Sequence, residues 1–457
     1  MRRQGERDVD AQTTAYRDER LPRYTSYPTA PHFADDVDGA QYGRWLGELA
    51  PGTKGSLYLH IPFCRAMCWY CGCHTTVARR DGPIGDYLAV LRREIEMVAD
   101  HLREPLDVRH IHFGGGTPTI LAPDDFVELV ALLRRRFALH PDAEIAVEID
   151  PRHLTAAIIQ ALRAAGVNRA SLGVQSFDPS VQAAINRLQS VEQTAAVVEG
   201  LRAAGISAVN LDLIYGLPRQ TVESCIETVE LCLDLAPDRF SIFGYAHVPD
   251  FKKHQSRIAT ADLPDGPARH EQAEAMAQRL VAAGYVRIGL DHFARPEDEM
   301  ARALGSGRLR RNFQGYTTDG CEALLGFGAS AIGRLPQGYV QNEVVIGRYG
   351  ERVRDGALPT AKGYRLSADD RLRADLIERL MCDLAVDIDA VCARHGADPQ
   401  TLAPSLSRLE GLSQEGVIAF DGARLLLPER SRLLVRKVAS VFDAHIDQPS
   451  RRYSRAV

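Results

Sequence analysis

Four cysteines lie close together in the segment HIPFCRAMCWYCGC, residues 60–73. Cys64, Cys68 and Cys71 have the spacing C-x3-C-x2-C, and Cys73 follows two residues later. A loop with this spacing can wrap three thiolates around one face of an iron–sulfur cubane, whereas a cluster held by protein alone usually takes four cysteines. Three ligands leave one iron open, and an open metal position can chelate a molecule through its amine and carboxylate groups. The spacing therefore predicts a reactive iron–sulfur cluster.

Other chemistry is open to these cysteines: a structural zinc site, local disulfides, or buried thiols that only pack. Zinc sites usually combine paired C-x2-C elements or histidines at set spacing, and His74 beside Cys73 does not make such a pair. The spacing favours the cluster over these alternatives. The remaining cysteines are scattered, and we expect them to pack in apolar surroundings: Cys225, Cys232, Cys321, Cys382 and Cys392.

Composition sets the broad class of the protein. The chain has 457 residues, 45% hydrophobic and 25% charged, with a net charge of −5. This composition predicts a soluble globular protein, and the length predicts two domains. No run approaches a membrane span and the N-terminus has no apolar signal core, so the expected compartment is the cytoplasm. The charge argues against nonspecific nucleic-acid binding, and a monomer is one option for the oligomeric state.

Six short runs of β-branched and apolar residues recur in the first half, each followed by a stretch with helical periodicity. They are SLYLHIP (56–62), HIHFGGG (110–116), EIAVEID (144–150), RASLGVQS (169–176), AVNLDLIYG (208–216) and RFSIFGYA (239–246). This repeated βα pattern predicts an α/β fold with parallel strands, a partial (β/α)6-type barrel. In such folds the functional residues gather at the C-terminal ends of the strands.

The pattern also predicts domain boundaries. Residues 1–50 form an N-terminal arm and lead-in, and 51–365 a catalytic barrel with an extension that closes it. Further strand-like runs at 286–294 and 323–333 belong to that extension. Residues 366–457 turn helical around one short hairpin and predict a smaller, winged-helix-like domain. Its DNA-binding interpretation is disfavoured, because no aromatic-interleaved basic face accompanies it.

Polar and glycine residues at the strand ends are suited to holding a cofactor. In GGGTPT, glycines let the backbone approach a ligand, which points to Gly115, Gly116 and Thr117. A carboxylate can accept from ribose hydroxyls, and an arginine can pair with a carboxylate. The candidates from later strand ends are Glu148, Gln175, Arg187 and Asp212. Each alone could be a solvated or ion-paired residue, but the set points to one site.

The cysteine loop after the first strand resembles that of the radical S-adenosylmethionine (SAM) superfamily. The resemblance implies that Cys64, Cys68 and Cys71 bind a [4Fe–4S] cluster whose fourth iron is chelated by SAM. An electron from the cluster would then cleave SAM to methionine and a 5′-deoxyadenosyl radical. It also implies backbone and apolar contacts to SAM from four further residues: Tyr58, Tyr70, Ala246 and Ile332.

Longer motifs resemble the oxygen-independent coproporphyrinogen III oxidase family over nearly the whole chain. These are PRYTSYPTA (22–30), LYLHIPFC with CGC (57–73), GGGTPT (114–119), GVQSF (173–177), NLDLIYGLP (210–218), YAH.P (245–249), DHFARP.DE (291–299), RNFQGYTT (311–318) and SR.V (454–457). In the related heme chaperones the position of Cys73 is usually Phe. Besides such a chaperone, the rivals are another radical enzyme, such as a methyltransferase, and a structural zinc protein.

The resemblance implies oxidative decarboxylation of two propionates of coproporphyrinogen III to vinyl groups in heme biosynthesis. The radical would remove a β-hydrogen, and loss of CO2 and one electron would follow, which requires an electron donor and an electron acceptor. We assign no general acid or base. Four propionates make the substrate a tetra-anion, and arginines are suited to bind it. The candidates are Arg23, Arg308, Arg310 and Arg311.

Overall fold

All six predicted strands form, and they lie side by side in one sheet. A computed structural model describes residues 19–446. The strands are β1 (Lys54–Ile61), β2 (Phe63–Cys64), β3 (Thr76–Val77), β4 (Asp107–Gly115), β5 (Ala138–Ile149), β6 (Arg169–Gln175), β7 (Ala208–Tyr215), β8 (Arg239–Gly244), β9 (Val286–Ile288), β10 (His292–Ala294), β11 (Arg310–Asn312), β12 (Gly315–Thr317), β13 (Ala323–Phe327), β14 (Ile332–Leu335), β15 (Gly338–Asn342), β16 (Thr360–Arg365), β17 (Ala385–Asp387), β18 (Ala419–Asp421) and β19 (Arg424–Leu426).

Helices follow most of the parallel strands, as the periodicity predicts. They are α1 (Gly39–Gly47), α2 (Gly82–His101), α3 (Pro123–Arg136), α4 (Ala156–Ala165), α5 (Pro179–Ala184), α6 (Val191–Ala203), α7 (Val222–Asp234), α8 (Gly266–Ala282), α9 (Glu299–Ala303), α10 (Ile346–Arg354), α11 (Ala368–Asp383), α12 (Ile388–Arg394), α13 (Ala403–Gln414) and α14 (Val435–Ser440). None of the helices in residues 19–446 is long and apolar enough to cross a bilayer.

The large sheet has twelve strands in the order β16-β15-β14-β13-β1-β4-β5-β6-β7-β8-β10-β9. Strands β13 through β8 in this order run parallel. The segments at 286–294 and 323–333 add strands at the two edges, but the edge strands β16 and β9 do not pair with each other. The fold is therefore a partial barrel, and the expected closure by the extension is not made by hydrogen bonding between the edges.

Alternation along the strands gives the barrel an apolar outside and a polar inside. On β1, Leu57, Leu59 and Ile61 belong to the main hydrophobic core under the helices. The intervening Tyr58 pairs in register with His112 of β4 and stacks on its ring. Successive residues of a strand point to opposite faces, so the polar set lines the barrel interior.

Local signals explain where helices begin and end. Thr155 caps α4 by accepting from the backbone N–H of Ile158, and Thr221 and Ser224 form a capping box at α7. Gly166 ends α4 with φ of +86°, a conformation in which glycine has no steric cost. These caps set the turns that return the chain to each following strand.

The region after β16 has the order α11, β17, α12, α13, β18, β19, α14, and its three strands form a separate antiparallel sheet. Tyr24 and Tyr27 of the lead-in are part of the core of this region. Val37 and Trp45, farther along the lead-in, belong instead to the core of the barrel. The lead-in therefore packs on both parts of the molecule.

Candidate active site

The cysteine loop is fixed on several sides by hydrogen bonds to its backbone. The carbonyls of Tyr70, Cys71 and Cys73 contact the side chains of the turn that follows β8: Gln255 Nε2 at 2.9 Å, His254 Nε2 at 2.7 Å and Lys252 Nζ at 2.8 Å, respectively. On the other side, the Trp69 N–H donates to the Ile185 carbonyl at 2.9 Å. The loop is thus held in one conformation at the C-terminal end of β1.

The three predicted ligand thiols have different surroundings. Thr117 Oγ1 donates to Cys64 Sγ at 3.4 Å, and burial raises the pKa of this thiol. Cys71 accepts a hydrogen bond from the Cys73 thiol, and this bond, opposed by burial, lowers the pKa of Cys71 to about 7. Arginine side chains approach Cys68 Sγ. A lowered thiol pKa favours the thiolate, which is the form that binds metal.

The thiol arrangement argues against a single-ion site. Within residues 19–446, one group brings three His, Cys, Asp or Glu donor atoms within 4.8 Å of one another, and it is His110, Asp319 and Cys321. The motif cysteines form no such group, as expected if they surround a larger cluster rather than one zinc ion. These cysteines fit an iron–sulfur cluster.

The glycines of GGGTPT sit where a side chain could not. Gly115 has φ of +117°, and its N–H donates to Glu148 Oε2 at 3.2 Å. A Cβ at Gly116 would lie 2.4 Å from Thr75 Oγ1 and 2.5 Å from the Phe63 carbonyl oxygen. The end of β4 therefore packs its bare backbone against the two ends of the cysteine loop.

Two predicted residues on the β6 side carry features of a binding site. Gln175 has φ of +70°, a strained conformation that is concentrated at functional sites. Arg187 is buried, and its Nη2 donates to the Gly173 carbonyl at 2.5 Å. Its buried Nε has no hydrogen-bond partner among the described residues. An unmet donor on a buried arginine fits the carboxylate of an amino-acid ligand such as SAM.

Glu148 and Asp212 lie inside the barrel. Glu148 Oε1 contacts His112 Nε2 at 3.1 Å, below the glycine backbone. Asp212 accepts from Ser171 at 2.9 Å and from Asn210 at 2.8 Å. Burial raises the pKa of Asp212 in spite of these bonds. Protein side chains thus already donate to Asp212, and its contact with ribose stays a prediction.

The four residues implied by the resemblance lie around the same end of the barrel. The Tyr58 hydroxyl contacts His60 Nδ1 at 2.9 Å, and Tyr70 packs beside the cluster formed by Val181, Ile185, Leu217, Tyr245 and Ile258. Ala246 lines a large cavity, and Ile332 begins β14. Their contacts with SAM also stay predictions.

That cavity has a volume of about 760 Å³ and extends from the cysteine loop to the C-terminal region. Cys73 lines it, as do Arg23 and Arg311 of the predicted substrate set. Arg308 and Arg310 do not line it, and they contact carbonyls of their own loop at Arg302, Gly307 and Leu309. The structure thus brings two of the four predicted arginines into the cavity.

Arg311 is the most informative of them. Its side chain is 6% exposed, lies over the Tyr316 ring at 4.4 Å and is 3.9 Å from Asp291 Oδ1. Its buried Nη1 has no hydrogen-bond partner within residues 19–446. Burial raises the pKa of Asp291, but Arg311, His292 and Arg23 outweigh it, so the pKa lies below the ordinary value. Asp291 is thus held as an anion beside Arg311, whose Nη1 makes no hydrogen bond to the described residues.

Sequence reasoning missed further arginines of this cavity. Arg436 of α14 is buried and donates to the carbonyls of Leu21 and Pro22. Burial, then Arg23 and Arg311, lower the pKa of Arg436 to about 9. The other missed cations of the cavity wall are Arg20, Arg269 and Arg287. The sequence offers one local signal for Arg436, which is a charged residue within the largely apolar run LLVRKVASVF.

The SR.V motif at 454–457 and residues 1–18 of the N-terminal arm lie outside the residues that the structure describes.

Comparison with known proteins agrees with this geometry. The chain matches the Radical SAM superfamily over residues 58–232, which include the cysteine loop, and the HemN C-terminal domain over residues 366–434. The oxygen-independent coproporphyrinogen III oxidase of Bradyrhizobium diazoefficiens is 63% identical over 443 residues, which cover 97% of this chain and 98% of that protein. The protein of the same name from Paracoccus denitrificans is 43% identical over 441 residues, 96% of this chain and 97% of its own.

A solved structure, coproporphyrinogen III oxidase (HemN) from Escherichia coli, described as a radical SAM enzyme, superposes with a TM-score of 0.89. It is 37% identical in sequence, and the match covers 94% of this chain and 100% of that one. Identity of this extent over nearly the whole chain shows that the chain belongs to the oxygen-independent coproporphyrinogen III oxidase family of radical SAM enzymes.

Proposed function

We infer that this protein converts two propionates of coproporphyrinogen III to vinyl groups and so forms protoporphyrinogen IX in heme biosynthesis. Its cofactors are a [4Fe–4S] cluster and SAM, which together supply a 5′-deoxyadenosyl radical when bound. An unactivated C–H bond offers no usable proton to a general base, so the protein's part is to position the reactants and shield them from water.

One observation carries the proposal: the cysteine loop and an arginine group share one cavity. Cys73, Arg23, Arg311 and Arg436 all line this cavity, and we take the Cys73 side as its cofactor end. The Nη1 of Arg311 lies 3.9 Å from Asp291 Oδ1 and has no hydrogen-bond partner among the described residues, so it provides a charge-assisted donor to a propionate. A substrate held by its carboxylates at the arginines extends its macrocycle toward the cofactor end.

The charge of the cavity wall suits a tetra-anionic substrate. Its arginines are Arg20, Arg23, Arg269, Arg287, Arg311 and Arg436, and its carboxylates are Asp250 and Asp291. Arg287 is already paired, at 2.8 Å, with Glu274. We propose Arg23, Arg311 and Arg436 as the propionate-binding residues and leave the loop arginines Arg308 and Arg310 out of this set.

We propose three ligand and contact assignments for the cofactors. Cys64, Cys68 and Cys71 hold the cluster. Gly115, Gly116, Thr117, Glu148, Gln175, Arg187 and Asp212, with Tyr58, Tyr70, Ala246 and Ile332, surround SAM. The unmet Nε of Arg187 supports its place at the SAM carboxylate.

We further propose a division of the chain into a lead-in to residue 50, a catalytic barrel over 51–365 and a C-terminal domain from 366. The matched C-terminal family segment supports the last boundary.

The reaction requires an electron donor for the cluster and an acceptor for the electron released with each CO2. We place the protein in the cytoplasm, without nucleic-acid partners, and take a monomer as the working assembly.

Anaerobic turnover of the reconstituted protein tests the function. Coproporphyrinogen III, SAM, a reductant and an extract lacking its own activity are supplied, and vinyl products are counted. We expect protoporphyrinogen from the wild type and from Cys321→Ser, a matched cysteine outside the loop, but none from Cys64→Ser. SAM cleavage without decarboxylation would point to another radical reaction, and tight heme binding with neither activity would point to a chaperone.

A further inference from the structure

We propose that Arg152 is a positioning residue that raises the reduction potential of the iron–sulfur cluster through Cys68. The inference rests on the cluster of the proposed function, but it concerns a residue that no part of that function assigns. Arg152 lies in the short turn Pro151–His153 directly after β5, at the same end of the barrel as the cysteine loop.

The Arg152 side chain is fixed between a thiol and a carboxylate. Its Nη2 donates to Cys68 Sγ at 3.4 Å and to Asp150 Oδ2 at 2.6 Å, while its Nε donates to Asp150 Oδ1 at 2.9 Å. The side chains of Arg152 and Asp150 are 11% and 10% exposed. The backbone N–H of Arg152 also donates to Asp150, which caps the turn. The hydrogen bonds to Asp150 therefore hold the Arg152 guanidinium in the position from which it contacts Cys68.

A second arginine approaches the same sulfur. Arg187 Nη1 lies 3.6 Å from Cys68 Sγ, and its Nη2 lies 3.4 Å from Asp150 Oδ1. Asp150 is therefore shared between two cations, and no other carboxylate contacts Arg152 among the described residues. Once Cys68 ligates iron, its thiolate faces two guanidinium groups in a setting that is largely removed from water.

Hydrogen bonds and positive charge at a ligand sulfur stabilise the reduced cluster, because reduction adds negative charge next to them. The effect is stronger where solvent screening is weak. Arg152 therefore makes the cluster easier to reduce, and Asp150 partly offsets it. The two residues have opposite predicted effects on one measurable quantity.

The test is an anaerobic redox titration of the reconstituted protein, followed by electron paramagnetic resonance in the absence of substrate turnover. We expect the midpoint potential of Arg152→Gln to be more negative than that of the wild type. Arg152→Lys, which keeps the charge, should stay closer to the wild type, and Asp150→Asn should be more positive. Arg109→Gln is the matched control, since Arg109 also pairs with an aspartate two residues earlier, Asp107 at 2.7 Å, but lies near the start of β4, at the end of the strand opposite to the cysteine loop.

An unchanged potential in an Arg152→Gln protein with full iron content would overturn the proposal. Should that variant fail to assemble its cluster, the sign of the Asp150→Asn shift decides, and a negative or absent shift there contradicts the proposal. Both readouts are independent of decarboxylation. A wild-type protein that bound no cluster would instead refute the proposed function itself.

Discussion

Two adjacent arginines of β11, Arg310 and Arg311, lie in different surroundings although they are consecutive in the sequence. Arg311 is 6% exposed and points into the cavity, whereas the Arg310 side chain is 36% exposed and bonds to carbonyls of its own loop. Alternation along a strand places neighbours on opposite faces. The two residues therefore form a natural pair for testing the substrate site.

Arg311→Ala should raise the KM for coproporphyrinogen III about 10-fold to 100-fold, since a hydrogen bond to a charged group contributes roughly 1.5–3 kcal/mol. Steady-state kinetics under anaerobic conditions measure it. Arg310→Ala serves as the neighbouring control and should leave the KM near that of the wild type. Equal effects of both substitutions would count against the assignment of Arg311.

Among the helices, α2 has a special place because its Glu94 ties several elements to one buried carboxyl group. The Gly328 N–H, which follows β13, donates to it at 2.7 Å, Asn342 of β15 at 2.6 Å and Tyr349 of α10 at 2.7 Å. The turn that begins at Gly328 leads into β14, whose first residue is Ile332. Burial, only partly offset by these bonds, raises the pKa of Glu94 to about 7.

The folded protein holds the Glu94 proton more tightly than the unfolded chain does. The contribution of protonated Glu94 to the free energy of unfolding is therefore complete at low pH and is lost as the pH rises toward 7. The size is on the order of 3 kcal/mol between pH 4.5 and 7. Glu94→Gln should flatten this part of the pH profile, measured by urea unfolding of the apoprotein. Glu96→Gln, an exposed change on the same helix, should keep the wild-type slope. Identical slopes for Glu94→Gln and wild type would contradict the buried-proton account.

At the scale of the whole molecule, three parts of the chain together line the proposed substrate cavity. The lead-in provides Arg23, the barrel provides Ala246 and Arg311, and the C-terminal region provides Arg436. The carbonyl of Arg23 accepts from Arg311 Nε at 3.3 Å, and the carbonyl of Pro22 accepts from Arg436 Nε at 2.9 Å, so the lead-in is bonded to both other parts. The C-terminal region is therefore part of the proposed substrate site.

Arg436→Gln should weaken substrate binding while it leaves iron content and SAM cleavage unchanged. Loss of the cation should raise the KM by about 10-fold or more, as for other desolvated charge pairs. Arg430→Gln, an exposed arginine of the same region, is the control. The double variant with Arg311→Ala should be less than additive, since the two side chains share one cavity. Additive effects would mean that they bind independently.

Local pattern was enough to predict the parallel strands and the cysteine loop, because alternation, helical periodicity and cysteine spacing are encoded over a few residues. Gly166, for example, ends α4 in the left-handed conformation that glycine adopts at no steric cost. The cavity is different: in the run GRLRRNFQG no local feature says which arginine faces inward, and Arg436 contacts Pro22 across 414 residues. Long-range packing decides such positions. The resemblance identified the substrate, but only the folded structure showed which cations line its cavity.

The distance along the chain between Pro22 and Arg436 has a consequence for biosynthesis on the ribosome. The anchors of the cysteine loop lie between Ile185 and Gln255, so they emerge early in translation. The wall formed by residues 21–23 with Arg436 can close only after α14 has been made. Domains generally fold as they emerge, N-terminal first. A nascent chain therefore has all the described anchors of the cysteine loop before it has Arg436 of the cavity wall, and we expect that iron–sulfur insertion can precede closure of that wall.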